Sequence, residues 1–189
     1  MPNNNEIIKL ENGRVEFAFN CVNEAIKLEN SNELKKLFKE LKEKQKDKDK
    51  QKELDKQEKE KKINEIMKKL NLENYKLYDL SIVIEKFKIS EYKSYCKKLP
   101  SMVLTNGLGQ TLAFMNAKKG SYYLIYLQLE NYIKKFTNYL NDTRLLNFVI
   151  STDSYKYRHI TNEAFSFMNW LKRFSEGMIE GDDNEQENE

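Results

Sequence analysis

The stretch LPSMVLTNGLGQTLAFMNAK, from Leu99 to Lys118, decides the fold class, because its apolar residues recur with the period of a helix. The stripe consists of Val103, Leu108, Leu112 and Met115. Such spacing is typical of a helix that is buried along one face. Two glycines, Gly107 and Gly109, interrupt the run, and each costs about 1 kcal/mol relative to alanine inside a helix. We therefore expect a helix here whose backbone something approaches closely.

The two glycines do not match a nucleotide-binding loop. The sequence Asn-Gly-Leu-Gly, 106–109, lacks the third glycine of a dinucleotide fingerprint, and no Gly-Lys-Ser/Thr follows it. Asn-Gly is also a hairpin dipeptide, but only between strands of alternating polarity, and these flanks have helical spacing. Asn106 and Gln110 are four apart and would share a helix face. We predict close packing or a subunit interface at Asn106, Gly107, Gly109 and Gln110, with packing inside the bundle and contact with a partner subunit or RNA both left open.

Helical spacing extends over the rest of the chain. Only two prolines and six glycines occur in 189 residues, which disfavours many short strands joined by tight turns. Apolar stripes with helical spacing begin at Val15, just after Asn12-Gly13. They recur along the chain as far as a last helix that starts near Ser154. Pro100 is suited to the first turn of a helix, and Gly120-Ser121 to a stop followed by a cap. The sequence predicts an all-α, compact multi-helix bundle.

The sequence predicts a single helical-bundle domain over residues 1–180, which contains one charged insertion and is followed by an acidic tail. The segment KEKQKDKDKQKELDKQEKEKK, 42–62, has Leu54 as its one apolar residue and cannot bury a face. We expect a charged insertion there, either the tip of a projecting helical hairpin or a linker. Residues 181–189 form an acidic tail, which we expect to be disordered.

The formal net charge of +3 conceals a strongly basic body. Seven acidic residues and no Lys or Arg lie from Glu176 to the end, so residues 1–175 carry +10. A basic surface favours an anionic partner, nucleic acid first and a membrane surface second. The candidate RNA-binding residues are Arg14, Lys97, Lys98, Lys118, Lys119, Arg158, Lys172 and Arg173. Arg158 and Arg173 are fifteen residues apart, about 22 Å along one side of a helix, although each could instead pair with Glu163 or Glu176.

Other chemistry is poorly represented in the sequence. His159 is the one histidine, which excludes a metal site built from several histidines. A helical nuclease would pair an Arg with a His about one turn further on, but Arg158 is adjacent to His159 and would point to a different side of the helix. Cys21 and Cys96 form no paired motif and are predicted to be buried thiols. We expect no catalytic residues, no metal and no cofactor. Without a signal sequence or an apolar run of about 20 residues, we expect a cytoplasmic protein.

Three segments resemble a known family. YKSYCKKLPSMVLTNGLGQTLAFMNAK, 92–118, is similar to the signature of the small helical subunit of type III-B CRISPR effector complexes, the Cmr small subunit. YKYRHITNEAFSFMNWLKRFSEG, 155–177, is similar to the second hallmark of that family, and NGRVEFAFNCVNEAIK, 12–27, fits its opening helix. The charged insertion 42–62 is longer than the family pattern.

The resemblance implies a non-enzymatic subunit of an antiviral ribonucleoprotein. Its implied partners are the backbone and large subunits of the effector complex, other copies of itself stacked in a filament, and crRNA with target RNA, but no membrane. Three alternatives stay open: the equivalent small subunit of a related effector, a helical adaptor that acts only by protein–protein contacts, and a small helical nuclease.

Overall fold

Helices account for the regular structure of the computed structural model, which describes residues 4–44 and 50–181. Within these ranges the chain forms nine helices and no strand, which confirms the predicted all-α class. The helices are α1 (Asn4–Asn30), α2 (Asn32–Lys44), α3 (Lys50–Leu70), α4 (Leu77–Lys86), α5 (Ile89–Asn106), α6 (Leu108–Ala117), α7 (Ser121–Phe136), α8 (Leu145–Ser151) and α9 (Ser154–Met178).

The central helix of the bundle is α7, which is buried around most of its circumference. Its residues from Tyr123 to Leu129 are all buried, as expected for a helix that is apolar on more than one side. Tyr132 stacks on Phe167 of α9, with ring centroids 4.6 Å apart. Gln128 is fully buried: its amide donates to the carbonyl of Cys21 in α1 and accepts from the Tyr92 hydroxyl in α5, both at 2.8 Å. Thus α7 contacts α1, α5 and α9 in one core.

The expectation of one helix through both glycines is wrong. α5 ends at Asn106, and Gly107 adopts a φ of +79° before α6 begins, a conformation that glycine reaches without a steric penalty. Gly109 lies inside α6, where a Cβ would be 3.9 Å from Cγ1 of Val149 in α8. Its N–H donates to the Tyr157 hydroxyl of α9 at 3.4 Å. Asn106 is the exposed last residue of α5 and shares no helix with Gln110, which lies in α6.

Two predicted helix starts are also wrong. Pro100 lies inside α5, not at its start: although proline removes one helical hydrogen bond, Leu99, Pro100 and Val103 are all buried, and their packing supports the helix there. α1 begins at Asn4, ahead of the Asn12-Gly13 pair that was expected to start it. Gly120-Ser121 is not the predicted stop followed by a cap either: α6 ends at Ala117, Gly120 occupies the N-cap position of α7, and Ser121 is the first residue of that helix.

The charged insertion falls largely in α2 and α3, which pack against each other. Lys59 of α3 forms an ion pair with Glu40 of α2. Residues 45–49 of the insertion, and the acidic tail from 182 onward, lie outside the described residues. In the described part of the chain, every helix is too short or too polar to span a membrane.

Candidate nucleic-acid interface

Three aromatic side chains from three helices meet near the protein surface, and we call them the aromatic cluster: Tyr95 of α5, Phe114 of α6 and Tyr122 of α7. The rings of Tyr95 and Tyr122 are nearly parallel, with centroids 3.6 Å apart and an angle of 10° between planes. The ring of Phe114 meets that of Tyr122 edge to face at 4.9 Å. Because each ring comes from a different helix, the cluster fixes the helices relative to one another.

Two predicted RNA-binding lysines adjoin the aromatic cluster. Lys118 lies one turn after Phe114, and its Nζ is 5.2 Å from the centroid of that ring. Lys98 is exposed and follows Tyr95 by three residues, which places it on the same side of α5. Phe114 is itself 38% exposed. Cations and an accessible aromatic ring therefore occupy one surface.

The tyrosines of the cluster are uncharged at neutral pH. Burial raises the pKa of Tyr122, and its neighbour Tyr95 adds to the effect. Burial also raises the pKa of Tyr95, with a further contribution from the nearby carboxylate of Glu91. The cluster therefore presents neutral rings, and its local charge comes from the lysines.

The remaining predicted cations of α5 and α6 are less available. Lys119 forms an ion pair with Glu85 of α4 at 3.0 Å, and Lys42 of α2 reaches the same carboxylate at 2.9 Å. Hydrogen bonds from Lys42 and Lys119 lower the pKa of Glu85 to about 2. Lys97 is half-buried. Lys119 thus ties the end of α6 to α4.

The predicted cations of α9 lie along a second surface. Arg158 and Arg173 are exposed, and Lys172 is half-buried. The Arg158 Nε donates to the carbonyl of Ser154 at 3.2 Å, and the Arg173 guanidinium lies 5.2 Å from the ring of Trp170. His159 is exposed beside Tyr139, with ring centroids 5.6 Å apart.

Arg14 is held between α1 and α9 by ion pairs. Its guanidinium forms ion pairs with Glu163 of α9 and Glu11 of α1, and the Tyr132 hydroxyl donates to the same Glu163 carboxylate at 3.0 Å. Only 19% of the Arg14 side chain is exposed. Arg14 therefore joins α1 to α9.

Arg144 forms a network that the sequence did not reveal. Its guanidinium contacts Asp79 of α4 and Glu130 of α7, each at 3.1 Å, and the Tyr123 hydroxyl at 2.8 Å. This network lies on the wall of a cavity of about 290 Å³. The scarcity of arginine marks the residue as informative, but its partner Asp79 is 65 positions away, beyond the reach of any local pattern.

Metal and thiol chemistry find no support in the residues described. Across 4–44 and 50–181, no three His, Cys, Asp or Glu side chains are grouped so as to hold a metal ion. Cys21 and Cys96 are free and buried, as predicted. Burial raises the pKa of both thiols, which keeps them protonated and unreactive at neutral pH.

Comparison with known proteins gives a consistent result. Residues 79–178 match the model of a family described as CRISPR-associated protein (Cas_Cmr5). Over 90 residues the chain is 28% identical to the CRISPR system Cmr subunit Cmr5 of Thermus thermophilus, in an alignment that covers 48% of this chain and 76% of that relative. The family match spans α4 to α9 and includes the whole aromatic cluster; the charged insertion precedes it.

Proposed function

Because this chain belongs to the Cas_Cmr5 family of CRISPR-associated proteins, we propose that it is a non-catalytic small subunit of a type III-B RNA-guided effector complex in antiviral defence. Copies of the chain stack beside the backbone and large subunits, and they help to hold crRNA and target RNA through contacts with the phosphate backbone. The family match is the observation that carries this proposal, and the exposed cations supply its chemistry.

Phosphate binding is supported by four exposed side chains on two surfaces: Lys98 and Lys118 beside the aromatic cluster, and Arg158 and Arg173 on α9. Such contacts position RNA without reading its sequence, which suits a complex in which base pairing selects the target. A few contacts of this kind bind weakly, with a Kd of about 10⁻⁴ to 10⁻⁶ M. Copies held side by side on one RNA gain from their high effective concentration.

Contact with other subunits is supported by an apolar end of the molecule, defined by Leu104, Ile150 and Tyr155. These side chains are 73%, 71% and 74% exposed. Leu104 lies near the end of α5, and the turn that follows packs against the helices of the other two: a Cβ at Gly107 would lie 3.5 Å from the Tyr157 hydroxyl of α9, and one at Gly109 would lie 3.9 Å from Val149 of α8. Exposed apolar groups that share a surface are typical of protein interfaces, and this end is our candidate for subunit contact.

Affinity purification of the tagged chain from its native host tests the assembly. We expect it to recover crRNA together with the other effector subunits. Recovery of the chain without crRNA and without a large assembly would contradict the proposal.

Charge reversal tests the RNA role against the adaptor alternative. In the assembled complex, the triple variant Lys98→Glu, Arg158→Glu and Arg173→Glu should lower RNA retention and weaken its dependence on salt. The matched control is Lys61→Glu, Lys68→Glu and Lys69→Glu, which reverses three exposed charges on α3. If both variants retain RNA like the unaltered chain while the complex stays intact, the chain acts only as an adaptor.

A further inference from the structure

We propose that the aromatic cluster is a stacking platform for an unpaired RNA base, an inference that rests on the proposed function and adds to its backbone contacts. The platform consists of Tyr95, Tyr122 and Phe114, with Lys98 and Lys118 at its border. Its accessible member is Phe114, a residue that is 38% exposed, while Tyr122, itself stacked on Tyr95, packs against the Phe114 ring.

The rigidity of the platform favours a binding role. Rings from α5, α6 and α7 hold one another at centroid distances of 3.6 and 4.9 Å. Phe114 thus loses little conformational freedom when a ligand stacks on it, which removes one of the usual costs of binding. Surface phenylalanine is also costly to hydrate, so covering its exposed part is favourable.

The position of Lys118 indicates an anionic aromatic ligand. In the structure its ammonium group lies 5.2 Å from the centroid of Phe114, where it attracts the electron-rich ring face. A base that stacks on Phe114 takes the place of the ammonium, which is then free to pair with a phosphate of the same strand. Lys98 lies beyond Tyr95 and provides a second phosphate contact. A nucleotide carries both parts of this ligand, a flat π face and an anion.

An unpaired base fits the platform better than a paired one. Bases inside a duplex have both faces covered by their neighbours, whereas a splayed base offers a free face to an aromatic side chain. Stacking of this kind tolerates any base. The platform is therefore compatible with a protein whose backbone contacts are also blind to sequence.

Abasic RNA separates stacking from backbone contact. The full-length chain is titrated at low salt with a fluorescently labelled single-stranded uridine 12-mer, and with a 12-mer of the same backbone whose central residues are abasic. We expect the abasic strand to bind about ten-fold more weakly, within the range measured for loss of one stacked base. Equal affinity for the two strands would overturn the platform and leave the backbone contacts standing. Failure of both strands to bind would overturn both.

A conservative substitution tests the residue itself. Phe114→Leu keeps an apolar side chain but removes the ring, so it should lower affinity for the uridine strand several-fold and leave the abasic strand unaffected. Tyr78→Leu is the control, because Tyr78 is 73% exposed on α4 outside the cluster. Equal losses for the two variants would contradict the proposal.

Photocrosslinking of the unaltered chain gives a result that does not depend on the folding of any variant. RNA that contains 4-thiouridine should crosslink within the tryptic peptides that carry Phe114 or Tyr122. Crosslinks confined to other parts of the chain, such as α3 or α8, would show that the base lies elsewhere and overturn the platform.

Discussion

At the scale of single residues, Gly120 is the position where the backbone tolerates least change. Its φ is +69°, and a Cβ added there would lie 2.4 Å from the carbonyl oxygen of Lys86. The N–H of Gly120 donates to the Ile82 carbonyl at 3.3 Å. The start of α7 therefore rests directly on the backbone at the end of α4, with no room for a side chain.

Replacing Gly120 by alanine should destabilise the protein by about 2–3 kcal/mol, because the substitution combines a backbone strain with a clash against main-chain atoms. Urea unfolding monitored by circular dichroism measures the change. Gly177→Ala is the matched control: nothing lies within 4 Å of its added Cβ, and the helix should gain up to about 1 kcal/mol. Equal stability of the two variants would contradict the assignment of strain to Gly120.

Glu24 is a half-buried carboxyl group in the contact between α1 and the segment that follows α3. It accepts a hydrogen bond from the Tyr75 hydroxyl at 2.6 Å. Burial raises the pKa of Glu24 from 4.5 to about 7, although Tyr75, Gln128 and Lys27 act in the opposite direction. The folded protein therefore binds this proton more tightly than the unfolded chain does.

This difference predicts that stability falls as the pH rises from about 4.5 to 7, since over that interval the folded state holds more protons than the unfolded state. The loss cannot exceed about 1.4 kcal/mol for each pH unit. Glu24→Gln should unfold like the unaltered chain at pH 5 and be more stable than it at pH 8, as thermal unfolding at both values will show. Glu16→Gln, at an exposed position of the same helix, should show the same dependence of stability on pH as the unaltered chain. If Glu24→Gln also shows that dependence, the assignment of the raised pKa to Glu24 is wrong.

At the scale of elements, the short helix α8 is held in place by the residue that precedes it. Arg144 occupies its N-cap position and binds Asp79 of α4 and Glu130 of α7. The side chains of these acids are 8% and 13% exposed, whereas that of Arg144 is 33% exposed. Removing the arginine would leave two nearly buried carboxylates without their cation.

Arg144→Met should therefore destabilise the protein by about 2–3 kcal/mol, less than for a fully buried pair because solvent reaches the guanidinium. Arg144→Lys keeps the charge but cannot reproduce the forked contacts, and it should lose about half as much. Denaturant unfolding gives both values, and hydrogen exchange should show the largest loss of protection in α8. A loss below about 0.5 kcal/mol in Arg144→Met would show that the network contributes little to stability.

Local patterns predicted most helices and failed at specific junctions. The apolar stripe of α9 was visible in the sequence because that helix buries residues at regular intervals, and α7 was visible because its apolar residues recur with helical spacing, although the positions between them are buried as well. The break at Gly107 was missed because the apolar period runs through it, and the turn depends on packing against Val149 and Tyr157, 42 and 50 residues further along the chain. Pro100 was misplaced for a similar reason, since burial outweighed the proline signal.

The candidate site was predictable only in part. Lys98 and Lys118 were identified as basic residues near an apolar helix, but their shared surface depends on rings from three helices. In the sequence, Arg14 has no feature that separates it from the other arginines. Its ion pair with Glu163, 149 positions away, is visible only in the structure. Composition predicts that cations exist; tertiary packing determines which of them remain available to a ligand.

At the scale of the whole molecule, the separation of charge along the chain should modulate RNA binding. Deleting residues 182–189 removes five acidic residues and raises the formal net charge from +3 to +8. We expect single-stranded RNA to bind the shortened chain several-fold more tightly at 20 mM salt, with the gain shrinking above about 0.15 M because of screening. Fluorescence anisotropy measures the effect.

A full-length variant provides the control for that deletion. Replacing the five carboxylates by Asn or Gln changes the charge by the same amount and preserves the length, so it should match the shortened chain. An affinity at 20 mM salt that is the same for the deleted and unaltered chains would show that the acidic residues do not influence RNA.

Gln128 also determines how many ways the helices can assemble. Leucine-rich faces can slide past one another by a turn with little loss, because one apolar side chain replaces another. A shift of one turn, about 5.4 Å, would separate the Gln128 amide from Cys21 and Tyr92 and leave polar groups buried without partners, at about 1–3 kcal/mol for each. A single polar side chain in the core thus selects one alignment of α1, α5 and α7 among several with similar apolar burial.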